Sequence, residues 1–395
     1  MTAPWPEVPL TAVADLVRGV SYPKTDSRDD AAAGYVPVLR ATNIQDARLV
    51  LESDLVYVAE SNVSPDQRLR PGDIVVATSS GSKHLVGKSA LLHAHWNGSF
   101  GAFCAGIRPK PNIESRYLAY FLQSPRYWKE IGKKALGVNI NNLRRGDLET
   151  LSLPLPPAEL QRQIVAEIEK QFSRLDEAVA NLQRVKANLK RYEKANVEQM
   201  TDSAAFEPVF EGVIGEVAVS LDNMRRPVNK TERATRPGTI PYLGANGQTG
   251  WIDAPLFDEE LVLVVEDETF VGRTAPFSYY FAGKCWVNNH THVLRAKQQL
   301  ALPKYLNLAL SYYPFIPLTT GSTGRRKLTK AALMAAPISL PSLRQQHDIV
   351  AEVDRQLSIT RAIAAEVAAN LDRASKLRNA VLTGAFSQAP LEVTT

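Results

Sequence analysis

The sequence predicts an α+β chain in which two mixed α/β domains are separated by two long antiparallel helices, a coiled-coil spacer, with an internal pseudo-two-fold duplication. Three observations predict it. Matching segments recur once, in the same order, at long spacing. Each copy opens on short β-rich runs bounded by Gly, Pro, Asn and Ser clusters. Each copy closes on a stretch that lacks proline, nearly lacks glycine and keeps its apolar residues at heptad spacing. The expected segments are a first mixed domain at 1–157, a central helix at 158–200, a second mixed domain at 208–341 and a C-terminal helix at 342–386.

The repeat is read from paired residues. Ile164-Val165-Ala166-Glu167 recurs as Ile349-Val350-Ala351-Glu352, and Leu143 and Leu148 pair with Leu328 and Leu333, all at an offset of 185. Tyr117-Leu118 and Leu122 match Tyr305-Leu306 and Leu310 at 188. Pro37 to Ala41 matches Pro241 to Ala245 at 204, as do Leu10, Val13 and Ala14 with Ile214, Val217 and Ala218. The offset shrinks along the chain, so the first copy carries extra loop residues. Within each mixed domain, Ile74 to Ala77 and Leu261 to Val265 read as strands, and Arg116 to Gln123 as a short helix.

The helical stretches carry a/d seams: Val165, Ile168, Phe172, Leu175, Val179 and Leu182 in the first, and Val350, Val353, Leu357, Ala364, Val367 and Leu371 in the second. About 42 residues at 1.5 Å each make a helix of roughly 60 Å, which cannot bury a narrow stripe alone. Its own copy, packed antiparallel, is the expected partner. Gly384 is the expected left-handed stop of the second helix.

Composition narrows the class. The 395 residues exceed one ordinary domain, and 45% apolar with 22% charged residues is globular. No apolar run reaches the 18 residues a membrane helix needs, and no basic-then-apolar leader opens the chain. Cys104 and Cys285 are expected to be buried thiols rather than a disulfide, and the chain to be cytoplasmic. A net charge of +5 is compatible with a polyanionic partner without requiring one.

The layout resembles the specificity subunits of type I restriction–modification systems. The resemblance rests on Leu153-Pro154-Leu155-Pro156-Pro157 followed by Gln161, Arg162, Ile164 and Val165, and on Ile338-Ser339-Leu340-Pro341 followed by Gln345, Gln346, Ile349 and Val350. Further family-like runs are Leu39 to Ile44, Arg70 to Ile74, Gly137 to Ile140, Pro241 to Gly247, Val287 to Leu294 and Lys327 to Lys330. The departure is Ser339 and Ser342, where prolines are usual. The resemblance implies a non-catalytic chain whose two target-recognition domains each read half of an asymmetric bipartite site on double-stranded DNA. Two methyltransferase subunits carrying S-adenosylmethionine would bind the helical core and methylate adenine. Restriction motor–nuclease subunits, with ATP and Mg, would join them. The chain itself is expected to bind no cofactor and no metal.

Phosphates are met by cations and backbone donors, and base edges by short polar or forked side chains. On that chemistry the first domain offers Arg40, Thr42 and Asn43; Ser79, Ser80, Ser82, Lys83, His84 and Lys88; and Asn139, Asn141, Asn142, Arg144 and Arg145. The second offers Arg225, Arg226, Asn229 and Lys230; Asn246, Gln248, Asn288 and Asn289; and Ser322, Thr323, Arg325, Arg326 and Lys327. The loops at 137–145 and 321–327 occupy equivalent places in the repeat.

Other signals read as structure. Gly81 precedes Gly87-Lys88-Ser89 by five residues rather than the four of a phosphate-binding loop, and no helix has room to follow. His93 and His95, and His290 and His292, are expected to lie on one side of a strand each, as core or interface residues short of a zinc set. Glu266-Asp267-Glu268 is expected to be a solvated or DNA-excluded turn. Two alternatives remain open from the sequence: a coiled-coil scaffold with ligand- or protein-binding domains, and a P-loop nucleotidase or nuclease.

Overall fold

The computed structural model describes residues 5–80, 85–134, 141–268, 270–321 and 326–387. Its long helices are Ala158–Thr201 and Leu343–Ala385. The compact units cut across the four segments expected from the sequence. One comprises residues 1–181 with 369–395, the other 182–368, so each takes the start of one long helix and the end of the other. The reason is packing: a helix with one apolar stripe finds most of its cover at a domain core, and each helix has one at either end. No helix among the described residues is long and apolar enough to cross a membrane.

In the first unit, Ser89–Leu91, Ile74–Ala77, Cys104–Pro109 and Ala14–Arg18 form an antiparallel sheet in that order. The β-branched run Ile74-Val75-Val76-Ala77 is fully buried, as a central strand covered on both faces must be. A second sheet joins Ser99–Phe100 in parallel to Tyr35–Leu39, followed by Val56–Ala59 and Ser27–Arg28. In the second unit one six-stranded sheet holds Ala218–Ser220, Thr291–Ala296, Phe257–Val265, Ser278–Val287, Ile240–Gly244 and Gly247–Ile252.

The duplication extends to hydrogen-bond register. Ala14 lies opposite Pro109 as Ala218 lies opposite Ala296, and Ile74 opposite Ile107 as Val262 opposite Leu294. The parallel pairs Val38/Ser99 and Tyr242/Trp286 correspond, and after them Gly101 N–H donates to Leu39 O (2.9 Å) as Asn288 N–H donates to Leu243 O (3.0 Å). The most faithful copy is a buried amide. Gln161 accepts from Glu114 N–H (2.8 Å) and donates to Pro156 O (2.9 Å) and Asn112 O (3.4 Å). Gln346 accepts from Leu302 N–H (2.8 Å) and donates to Pro341 O (3.0 Å) and Leu300 O (2.8 Å). Each glutamine ties the first turn of its long helix to the loop before the domain's own helix, Ser115–Phe121 or Pro303–Ser311.

The seams are buried unevenly. Val165, Ile168 and Phe172 are buried with Tyr117, Leu118 and Phe121 in the first core, whereas Leu175, Val179 and Leu182 are half-covered. In the second helix Val353 and Val367 are buried, Val350, Leu357 and Leu371 half-buried, and Ala364 exposed. Ala364 therefore corrects the expected seam: burial in the second helix follows Val353, Thr360 and Val367, seven residues apart, and leaves Ala364 in solvent. Within the first unit, Ile164 and Ile168 share a small cavity with Val381 and Ala385, and Arg378 caps the Phe172 ring at 3.8 Å while pairing with Asp176 at 2.7 Å. These contacts run antiparallel. In the second unit Tyr192 Oη donates to Gln356 (2.9 Å).

Gly384 does not stop the second helix, which runs through it to Ala385 without a left-handed residue there. Phe386 follows and packs edge-on against Tyr117 and Phe121, ring centroids 5.2 and 5.5 Å apart, so apolar burial ends the helix rather than a glycine cap. Cys104 and Cys285 are free and buried, and burial pushes each thiol up to about 12.

Candidate nucleic-acid interface

The fold brings separate candidate segments together. In the first module Ser79–Ser80 pairs with Asn141–Asn142, and Leu143 N–H donates to Thr78 O (2.7 Å). In the second, Asp267–Glu268 pairs with Arg326–Leu328, and Leu328 N–H donates to Glu266 O (2.8 Å). The same strand-end junction is thus built twice, with Ser79 opposite Asn142 in one copy and Asp267 opposite Lys327 in the other. Thr319–Thr320 closes the second copy as a hairpin with Arg326–Leu328. Ser82, Lys83, His84, Asn139, Ser322, Thr323 and Arg325, and the side chain of Asn141, lie outside the described residues.

A groove of about 630 Å³ in the first module gathers Tyr22, Arg40, Thr42, Ser79, Ser80 and the exposed ring of Phe103. Asp54 orders its rim: its carboxylate pairs with the Arg40 guanidinium and accepts from Thr42 Oγ1 (2.5 Å). Asn43 departs from the expected role. It is fully buried, accepts from Arg40 N–H (2.8 Å) and donates to Val50 O (3.1 Å) and Ser53 O (2.9 Å). Its amide clamps the turn that presents Arg40 and Thr42, and no face of it reaches a ligand. Asn142, Arg144 and Arg145 are exposed, Arg145 with Glu149 at 2.8 Å. Lys88 is half-buried.

In the second module a groove of about 490 Å³ is lined by Asn229, Arg233, Thr249, Asn288 and Asn289. Asn229 caps Lys230–Ala234 by accepting from Glu232 N–H (2.8 Å), and Arg233 stacks over Tyr242 at 4.3 Å. Asn288 accepts from His290 N–H (2.9 Å), an Asx turn that leaves its amide hydrogens to the groove. Asn246 accepts from Arg273 (2.9 Å) and Gln248 bonds Gly250 O (3.2 Å). Lys230 and Arg226 are exposed, and Arg226 O accepts from the Trp286 indole (2.7 Å). Sequence reasoning missed Asp54, Arg233 and Arg273, because single polar residues gain meaning only from their spatial partners.

Arg225 also departs from the expected role. Its side chain is 13% exposed and pairs with Glu266 and, at 3.5 Å, with Asp222. Glu266 is not in a solvated turn: it is buried and bonded to both Arg225 and Lys327 (3.0 Å). Burial opposes ionisation of Asp222 and Glu266. The His292 bond to Asp222, and the Arg225 and Lys327 bonds to Glu266, outweigh it and hold both carboxyls below their usual values. Asp222, Glu266 and His292 each place a ligand atom within 4.8 Å of the others, but Arg225 and Lys327 already supply the cations a metal would bring. Arg326 donates to Thr319 Oγ1 (2.6 Å) and Thr319 O (3.1 Å), bracing its own hairpin.

The histidine pairs do not behave alike. His93 and His95 are exposed and follow the strand Ser89–Leu91, which corrects the core reading for both. His290 precedes the strand Thr291–Ala296, whereas His292 lies on it and is buried. Ser89–Leu91 is itself a strand where a phosphate-binding loop needs a helix.

A sequence model described as the type I restriction modification DNA specificity domain matches residues 3–191 and again 210–369. The chain belongs to this family. It is 26% identical to the Type I restriction enzyme EcoKI specificity subunit of Escherichia coli (strain K12), over 97% of this chain and 88% of that one. It is 36% identical to the StySPI specificity subunit of Salmonella potsdam, over 48% of this chain and 41% of that one. The fold matches a chain from the complex assembly and conformational transition of the type I R-M system, with TM-score 0.74, 20% identity and 98% of both chains covered. It also matches the HsdS subunit from Thermoanaerobacter tengcongensis, with TM-score 0.53, 20% identity and 98% and 97% covered. The specificity subunit is therefore a sequence-specific DNA-binding component of a type I restriction–modification system. The scaffold alternative finds no support in these matches.

Proposed function

We propose that the specificity subunit reads a bipartite, asymmetric duplex site, one half with each module, and contributes no catalytic group. The long helices would set the spacing between half-sites and dock two methyltransferase subunits, which bring S-adenosylmethionine for adenine methylation. Restriction subunits, with ATP and Mg, would bind to the assembled complex. The observation that carries this reading is the junction built twice in one register, Leu143 on Thr78 and Leu328 on Glu266, and lined by different polar groups in each copy. A repeated frame with unlike readers fits two unlike half-sites.

Mapping methylated adenines in the source genome before and after deleting this gene tests it directly. The expected result is loss of one split, asymmetric motif; an unchanged map in a methylating strain overturns the reading. Binding of that motif by the complex with its methyltransferase should also weaken steeply as salt rises.

A further inference from the structure

The hairpin that carries Arg326 and Lys327 is fastened to the sheet by a buried imidazole. His292 is 1% exposed, and its Nδ1 lies 2.6 Å from Asp222 Oδ2 while Nε2 lies 2.8 Å from Leu328 O. A carboxylate and a carbonyl only accept, so both ring nitrogens must carry hydrogen for both bonds to form. The charged groups around the ring are Asp222, Glu266 (3.9 Å) and, paired with these two carboxylates, Arg225 and Lys327. Asp222 is fixed in turn by Val293 N–H (2.8 Å), and Arg225 by Thr291 O (2.8 Å).

Among the described residues the first module has no counterpart. Strand register sets Ala105 where the second module has His292, and Arg18 where it has Asp222. Thr78 stands for Glu266 and Asn142 for Lys327 at the two equivalent junctions. The hairpin of the second module is therefore held by an ionic latch that has no counterpart among the described residues of the first.

We propose that His292 is a positioning residue for recognition of one half-site: its imidazolium, bridging Asp222 and Leu328, fixes the Arg326–Leu328 arm against the DNA. The proposal rests on the reading that this hairpin meets DNA. Fixing the arm matters because a reading side chain displaced by about 1 Å loses much of its discrimination. It adds no phosphate contact, so its loss should not alter the salt dependence of binding.

The test uses the assembled methyltransferase complex and a duplex carrying the motif that disappears on gene deletion, plus duplexes with one base pair changed in either half. Lys327→Ala serves as the control for the underlying reading. His292→Gln can make only one of the two donor bonds, and should cut discrimination against changes in one half-site by about tenfold. Discrimination at the other half should stay within about twofold, with the salt slope unchanged. Asp222→Asn, with His292 in place, should retain most of the discrimination. Its amide can donate to a neutral ring whose Nε2–H still reaches Leu328, while its oxygen still accepts from Val293.

Hydrogen exchange on the same complexes separates positioning from folding. In His292→Gln residues 319–320 and 326–328 should lose protection while 261–265 and 291–296 keep theirs. Unchanged discrimination in His292→Gln, equal loss at both halves, or collapse of protection across the whole sheet would each overturn the proposal. If Lys327→Ala leaves binding untouched as well, the DNA reading of the hairpin fails rather than the latch alone.

Discussion

The two modules share a frame and differ in how they hold their loops. In both, a buried glutamine locks the long helix to the domain and one backbone bond joins the same two strand ends. Around that junction the first module places serine, threonine and asparagine, and the second places two carboxylates, an arginine, a lysine and a histidine. The frame is what both copies need in order to fold. The junction is where they differ, because in the second module its buried polar groups satisfy one another.

Four perturbations test that division, taken from the largest effect down. Phe386→Ala removes a ring held by Tyr117 and Phe121 and should cost about 3–4 kcal/mol of stability, read as a lower urea midpoint. The matching position in the repeat is Thr201, so Thr201→Ala should cost well under half as much. Equal losses would mean that the helix ends dock alike.

Gln161→Ala and Gln346→Ala each strand a buried N–H and two carbonyls, and each should cost about 2–3 kcal/mol. Their near equality is the point: a loss confined to one glutamine breaks the claim of a shared frame. Circular dichroism melts of the two variants decide it.

Acid should act on the modules unequally. Asp222 and Glu266 titrate below their ordinary values, so the stability they confer is complete above about pH 5 and is lost as pH falls through their lowered values. Asp222→Asn should flatten the fall of the urea midpoint between about pH 5 and pH 3, whereas Asn142→Ala, at the first junction, should leave it unchanged.

The smallest effect concerns turns. Asp46 and Ala47 both have positive φ (46° and 61°) in the two-residue loop between Ile44–Gln45 and Arg48–Leu49. In the second module the hairpin Ile240–Ile252 gives its positive φ to Gly247 instead. Ala47→Gly should stabilise the first module by about 0.5–1 kcal/mol, measured as a raised thermal midpoint.

Much of the frame was legible because it is periodic or repeated. Proline-free heptads mark both long helices within a residue or two, and equal offsets locate the Leu143/Leu328 junction that lies under the candidate interface. The site was legible only by residue type. Asn43 and Arg225 have the chemistry of DNA contacts, yet one clamps a turn and the other closes a buried ion cluster. Ala364 sits on the heptad and faces solvent, and Gly384 has the freedom to end a helix but sits inside one.

By itself, then, the sequence determined the doubling, the helices and the polar character of the paired loops, because spacing and composition are properties of a chain. Only the tertiary structure decided which polar groups face outward and which satisfy one another. Glu266, His292 and Lys327 are far apart in sequence, and their meaning lies in bonds of about 3 Å that only the folded sheet can form. A buried charge must find its partner before it can serve any other purpose, and that partner is chosen in space.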